Sequence, residues 1–453
     1  MKKKLISIIL LATMTVSLLA ACGGAVSGTE DGSVGKDKNS SGKVLNIYGW
    51  NEEFKSRMTD HYPGYEEIDG TTGKIGDVTV RWNITPSKDN AYQNNLDEKL
   101  LAQNKASADE KIDIFLVEAD YALKYVDSEY TMSVKDLGIT DEDIADQYKY
   151  TQDVVTDSKG NLKGLSWQGC PGVLIYNREA AKEVLGTDDP VKVQDAVKDW
   201  ETFAATAAKM KEKEYRMTAS VNDTYRVYSN NVTSPWVVDG TINYDKNIMK
   251  WVEDSKAMYD AGYADTYDLW SEDWSKGFYP AGKVFCYFGP AWFVDFSMAA
   301  DTDGSIANAG GWGAVSGPQG FFWGGTWICA ATGTDNEDLV KDIMLKLTTD
   351  ETIMKEIVVD DNDFVNNKPA MEAMAADTGY ASKVLGGQNP LGMYCKGVEK
   401  IDLSNATGYD QTCTEAFQNA MKNYFQGKAT LEEALEIFEK AVIEKHPELK
   451  ASK

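Results

Sequence analysis

Lys43-Val44-Leu45-Asn46-Ile47-Tyr48-Gly49-Trp50-Asn51-Glu52-Glu53-Phe54 reads as a strand that stops at a glycine and turns directly into a helix. Apolar and polar residues alternate up to Gly49, and Asn51-Glu52-Glu53-Phe54 has the polar start of a helix. A second strand is predicted at Val78-Thr79-Val80-Arg81-Trp82. A polar helix follows, with Leu96, Leu100 and Leu101 expected on one face. Ile112-Asp113-Ile114-Phe115-Leu116-Val117 is then a short apolar run of the kind found in buried parallel strands. Strand, helix, strand, helix, strand predicts an α/β lobe.

The same alternation continues along the chain. Asp157-Ser158-Lys159-Gly160-Asn161 is a turn, and Leu162 to Tyr176 reads as strands broken at Gly169-Cys170-Pro171-Gly172. Trp200, Phe203, Ala204, Ala207 and Met210 form the stripe of a helix with Asp199 as its N-cap. Trp251 to Ala261 is a further helix, and Lys283 to Gly289 a strand with a glycine exit. Thr334-Asp335-Asn336-Glu337 and Thr430-Leu431-Glu432-Glu433 each carry the residue types that cap a helix. No internal repeat is visible.

The N-terminus has a different character. Lys2, Lys3 and Lys4 precede an apolar run, Leu5 to Ala21, which ends in Leu19-Ala20-Ala21-Cys22-Gly23-Gly24. A basic start, an apolar centre and small residues before the cut describe an export signal. Leu-Ala-Ala-Cys resembles the lipobox of bacterial lipoproteins, which implies that Cys22 becomes the lipidated N-terminus. Residues 23–42 are almost devoid of apolar side chains and predict a flexible tether, with a root-mean-square span on the order of 25 Å.

The remaining chain of about 430 residues exceeds what one core supports and predicts two lobes. Loss of the three leader lysines takes the formal charge from −25 to about −28. Nucleic acid is excluded as a partner, because a phosphate backbone demands clustered Lys and Arg. A neutral or cationic ligand fits. Five cysteines follow Cys22, at 170, 286, 329, 395 and 413, with no C-x-x-C spacing, and are expected to be free and buried. Only two histidines, His61 and His446, are present, which argues against a multi-His metal site or a His-dependent triad. No metal or cofactor is expected. Asp360-Asp361-Asn362-Asp363 lacks the central glycine of a calcium loop and is expected to be a solvated helix terminus.

Several blocks in order resemble the extracellular solute-binding proteins of bacterial carbohydrate ABC importers, the group related to maltose-binding protein. They are Leu45 to Glu52, Ile112 to Phe115, Gly172-Val173-Leu174-Ile175-Tyr176-Asn177-Arg178-Glu179, Gly282 to Trp292 with its Gly289-Pro290-Ala291-Trp292 turn, and Trp312 to Trp327. The resemblance covers nearly all of the mature chain. It implies a two-lobed α/β fold of the periplasmic-binding-protein type, with discontinuous lobes that close on a ligand in the cleft between them. The expected division is a lipoprotein signal peptide at 1–21, a tether at 22–42, an N-terminal lobe of 43–165 and 329–393, and a C-terminal lobe of 166–328 and 394–453. Chain crossings are expected near 166–171, 326–330 and 390–397.

Which residues face the cleft decides the chemistry. A flat indole covers the C–H face of a sugar ring, while Asp, Glu, Asn, Gln and Arg bond the hydroxyls at its rim. Each stacked ring is worth roughly 1 kcal/mol, and micromolar affinity needs about 8 kcal/mol net. Trp50, Asn51 and Glu52 follow the first strand, at the carboxyl end where open α/β sheets bind ligands. Glu118 and Asp120 stand in the same relation to the third strand. Trp167 and Gln168 lie on the first crossing. The resemblance implies that Trp292 stacks on sugar, with Asp295 nearby. Of Trp323 and Trp327, one is expected in the cleft and the other packed. Trp236, in a loop after Ser234-Pro235, and Asp410, before a helix, complete the candidates. Trp270 and Trp274 are expected to be packing residues.

The resemblance implies non-catalytic capture of a carbohydrate, in expectation an oligosaccharide, by a monomer held to the outer face of the cell membrane by its lipid. The partners implied are permease subunits with a cytoplasmic ATPase. Two alternatives remain at this level. A binding protein of the same fold for a polyamine or other cation would use several carboxylates in an aromatic box. A surface-anchored glycoside hydrolase would need two carboxyls at about 5 to 9.5 Å.

Overall fold

The computed structural model describes residues 42–452. The signal peptide, Cys22 and the tether up to residue 41 lie outside the described residues. The strands in chain order are β1 (Val44–Gly49), β2 (Tyr65–Asp69), β3 (Thr72–Ile75), β4 (Val78–Ile84), β5 (Ile114–Glu118), β6 (Val173–Asn177), β7 (Arg216–Thr218), β8 (Val237–Val238), β9 (Thr241–Ile242), β10 (Val284–Gly289), β11 (Trp312–Val315) and β12 (Thr326–Ala330). One sheet has the order β12-β5-β1-β4-β3-β2, and a second has β11-β6-β10-β7.

β1 is parallel to both β4 and β5, and all six of its residues are buried. A central strand covered on both faces buries even its polar residue, Asn46. β2, β3 and β4 form an antiparallel meander at the edge. In the second sheet β6 is antiparallel to β10 and β11, and β7 is parallel to β10. Helices cover the sheets. Asn177 caps Arg178–Leu185 by accepting from the amides of Glu179 and Ala180. Asp199 with Thr202, and Thr430 with Glu433, form capping boxes. Thr334 and Asn336 act differently. They donate to the buried Asp113 carboxylate instead of capping the helix Glu337–Thr349. Leu101 is exposed while Leu96 and Leu100 are buried, because a neighbour one position on points about a quarter-turn away.

Two expected crossings shift. β12 pairs antiparallel with β5 along its whole length, so residues 326–330 belong to the first sheet rather than to a passage between lobes. The passage lies just before them, where Pro171 bridges Phe322. Residues 390–397 are not a crossing strand. From Leu391 on they lie within the helix Leu391–Val398, with Pro390 at its N-cap, and Tyr394 packs on Phe364. The chain then runs through 399–409 to the helix Asp410–Phe425, which packs on Lys246–Asp260 and Leu431–Lys445.

The acidic run at 360–363 is not simply solvated. Asp363 is fully buried, and its carboxylate accepts from Gln168 at 3.1 Å and faces Arg57 at 3.6 Å. Asp361 binds Arg57 and accepts from, or is paired with, His61 at 2.8 Å. Five polar groups from three separate parts of the chain, Arg57 and His61, Gln168, and Asp361 and Asp363, thus close a charge network beside the first crossing.

Candidate functional site

A cavity of ≈ 730 Å³ opens between the two sheets, within the size range of small-molecule sites. The carboxyl ends of β1 and β5 supply one wall, with Trp50, Asn51, Glu53, Glu118, Asp120 and Tyr121. The helical turn after β7 supplies Asn222, Asp223 and Arg226, and the helix Asp410–Phe425 supplies Gln411, Thr414, Glu415, Gln418 and Asn419. Strand ends converge here because their last backbone groups and the following helix starts are free of ladder bonds.

Three tryptophans form the opposite wall. Trp270 lies 6.3 Å from Trp292 and 5.6 Å from Trp323 between ring centroids, and Trp292 lies 5.4 Å from Trp323. The Trp292 indole N–H donates to the Trp323 carbonyl at 3.3 Å, which fixes the ring. Gly324 and Gly325 behind it both have left-handed φ, at +74° and +113°, and a Cβ on Gly325 would lie 2.9 Å from Trp327. Only glycine suits that step. Trp50 faces the cavity with its edge against Tyr92 and Tyr121.

The polar groups are unevenly satisfied. Arg226 grips Asp120 with both terminal nitrogens, one at 2.7 Å, which joins the two lobes across the cleft. Glu118 accepts the Asp120 amide at 2.8 Å, and burial, reinforced by the Asp120 charge, pushes its carboxyl up to about 8. Asp223 accepts from the Trp274 indole at 2.7 Å and from the Ser220 amide, and burial pushes it up to about 7. Glu53 is also pushed up to about 7 by burial, against the pull of Arg57, while Gln168 donates to it at 3.1 Å. The Tyr121 hydroxyl is buried and has no hydrogen-bond partner among the described residues.

Of the expected residues, Trp50, Asn51, Glu118, Asp120, Gln168, Trp292 and Trp323 line this cavity. The others do not. Trp167 is fully buried, stacked on Phe54 at 5.4 Å, because it sits on the inner side of the crossing. Trp327 is buried and donates to the Thr151 carbonyl at 2.6 Å, since alternate strand residues point to opposite faces. Glu52 is exposed, and it is Glu53, one helical step on, that reaches the cleft. Asp295 accepts from Asn362 at 3.1 Å and is turned from the cavity. Trp236 packs on Phe417 and Phe438. Asp410 accepts from Thr407 at 2.7 Å, and burial pushes it up to about 6.

Trp236 and Asp410 border a second cavity of ≈ 490 Å³ beyond the Arg226–Asp120 pair. Its polar side chains are largely spent on the protein. Asp245 accepts from Thr233, Ser234 and Asn247, Asn230 from Phe322, and Asn405 donates to Val232. The first cavity therefore has the free groups a ligand needs.

Sequence reasoning missed Trp270, Asp223, Arg226, Tyr121 and the helix residues from Gln411 onward. Trp270 has φ +70° and is 54 % exposed. A large aromatic side chain among the acidic residues Asp268, Glu272 and Asp273 was the available signal, but it reads equally as a surface turn. Trp274, its neighbour, is buried. Among the described residues, no group of three or more His, Cys, Asp or Glu has metal-binding geometry.

Residues 76–384 match the family described as "Bacterial extracellular solute-binding protein". No curated protein sequence matches the chain. Solved structures agree on the fold. The chain is similar to an ABC transporter-associated binding protein from B. animalis subsp. lactis Bl-04, solved with β-1,6-galactobiose, at 18 % identity and TM-score 0.68, covering 91 % of this chain and 100 % of that one. It is similar to the GacH receptor of Streptomyces glaucescens, solved unliganded and with acarbose, at 15 % identity and TM-score 0.65, covering 91 % and 100 %. It is also similar to the sugar-binding protein MalE of Xanthomonas citri, at 14 % identity and TM-score 0.65, covering 89 % and 98 %. With more than half of its length matched and two lobes meeting at an open cleft, the chain belongs to the bacterial extracellular solute-binding protein family.

Proposed function

We propose that the cleft captures an oligosaccharide outside the cytoplasm and that lobe closure presents it to an ABC permease. As a solute-binding protein the chain is not an enzyme. The observation that carries the carbohydrate assignment is the wall of Trp270, Trp292 and Trp323 facing Trp50, with Glu118, Asp223, Asn90 and Gln411 around it. Indole faces cover sugar C–H faces, and the surrounding groups accept and donate to ring hydroxyls. The sugar complexes of the similar proteins from B. animalis and Streptomyces support the same class. In this proposal Cys22 carries the lipid that holds a monomer at the membrane, and a cytoplasmic ATPase drives release through the permease.

The test is a thermal-unfolding panel of mono- and oligosaccharides, with polyamines and peptides as controls. A ligand at one hundred times its Kd adds about 2.7 kcal/mol to stability. A melting shift with a sugar, and no shorter sugar produced on incubation, is the expected result. A shift with polyamines or peptides alone overturns the assignment.

A further inference from the structure

Six carboxylates line the cleft, from Glu53, Glu118, Asp120, Asp223, Asp268 and Glu415, against one cation, Arg226. Three of them have their own counter-ion. Arg226 holds Asp120, Lys422 meets Asp268 at 2.8 Å, and Lys445 lies 3.9 Å from Glu415. Glu53 shares Arg57, at 3.9 Å, with Asp361 and Asp363. Glu118 and Asp223 have no cation within 4 Å among the described residues.

These two carboxyls flank the tryptophan wall. A Cβ placed on Gly324 would lie 3.3 Å from the Trp292 ring and 3.6 Å from Oε1 of Glu118, so carboxylate and indole adjoin the same small space. Asp223 holds the Trp274 indole N–H, and Trp274 packs edge-on against Trp270 at 5.2 Å. One carboxyl with no cation within 4 Å therefore stands at the Trp292 side of the wall, where the more distant Arg226 pulls its carboxyl down only in part, and the other is linked to Trp270 through Trp274. The wall also tolerates a cation, since the Arg226 guanidinium lies 5.9 Å from the Trp323 ring centroid.

Resting on the oligosaccharide assignment above, we propose that the sugar captured here carries a protonated amine, held against the Trp270–Trp292 face with Glu118 and Asp223 answering its charge. A ligand with hydroxyls alone would bury both carboxyls with no cation when the lobes close and water leaves. An ammonium group supplies that charge, and indole faces attract it as well. Burial has pushed both carboxyls upward in the empty cleft, so each holds its proton more tightly there, and an ammonium brought beside them favours the ionised form.

The experiment is calorimetric titration of the purified protein with matched oligosaccharide sets. Glucosamine and galactosamine oligosaccharides are compared with their N-acetylated forms and with neutral gluco- and galacto-oligosaccharides of the same linkage. The expected result is binding of an amine-bearing member at least about tenfold tighter than its N-acetylated and hydroxyl counterparts. Glu118→Gln should shrink that gap, because it costs the amine-bearing member more affinity than the neutral one. This change removes the group that can ionise without removing volume, and Asp223→Asn provides the same comparison from the other side. A neutral sugar that binds as tightly as its amine counterpart, or a gap untouched by both variants, overturns the amine while the oligosaccharide assignment stands. Binding of spermidine with no sugar of any set overturns both.

Discussion

Trp270→Ala tests the cleft directly. Trp270 keeps 54 % of its surface exposed. A tryptophan has roughly 250 Å² to bury, so on the order of 130 Å² is open, and a sugar stacked on one face covers about half of that. At about 25 cal/mol/Å² the lost contact is worth ~1.6 kcal/mol. Affinity for the sugar found in the panel should fall about fifteenfold. The unliganded protein should lose little, because the ring is half exposed and its left-handed backbone favours no side chain. Trp270→Gly relieves that backbone cost and should raise the unliganded melting temperature relative to alanine. Calorimetric titration gives the affinity, and urea unfolding without ligand gives the stability. Unchanged affinity in both variants, or an unliganded loss as large as that of a buried tryptophan, would refute the placement of Trp270 in the ligand wall.

Trp327→Ala should behave in the opposite way, costing about 3 to 5 kcal/mol of unliganded stability, because the ring is 1 % exposed and its N–H bonds Thr151. A loss under about 1 kcal/mol in urea unfolding would contradict that packing. Asp120→Asn and Arg226→Met should be non-additive by about 1 to 3 kcal/mol, since each removes the same bidentate pair between lobes. X-ray scattering of the unliganded single variants should show a larger radius of gyration; additive effects with unchanged dimensions would show that the pair does not hold the lobes. The pH dependence follows from Asp223, whose carboxyl lies at about 7 when folded and about 3.9 when unfolded. The folded state keeps a proton that the unfolded state has released, so this contribution is fully present below about pH 4 and is lost as pH rises to about 7. Asp223→Asn should flatten that part of the stability profile, with Glu118→Gln doing so up to about 8; parallel profiles for variants and parent would count against the buried carboxyls.

The strand Val44–Gly49, the helix starts at Asp199 and Thr430, and the alternation of strands and helices were legible because each depends on neighbours within a few residues. The edge hairpin of β2 and β3 was not, because Tyr65-Glu66-Glu67-Ile68-Asp69 has too little apolar content to mark a strand and is held by pairing with its partner. The family resemblance points to Trp292, while the stretch from Phe321 to Trp327 leaves open which of Trp323 and Trp327 faces the cleft. Trp167, Trp236 and Trp327 carried the same residue type in similar company, yet they fill the interior.

The sequence by itself determined the α/β class, the division of labour between strand interiors and strand ends, and a cleft rich in indoles and carboxylates. Only the tertiary structure decided which indole faces that cleft and which carboxyl lacks a counter-ion. Rotation by one strand position moves a side chain from core to cleft, as for Trp327 beside Thr326, which lines the cavity. Charge balance depends on partners far away in the chain, as Asp120 finds Arg226 and Asp363 finds Arg57, while Glu118 and Asp223 have no cation within 4 Å among the described residues. Local pattern fixes what a segment becomes, whereas what its side chains meet is set by segments hundreds of residues away.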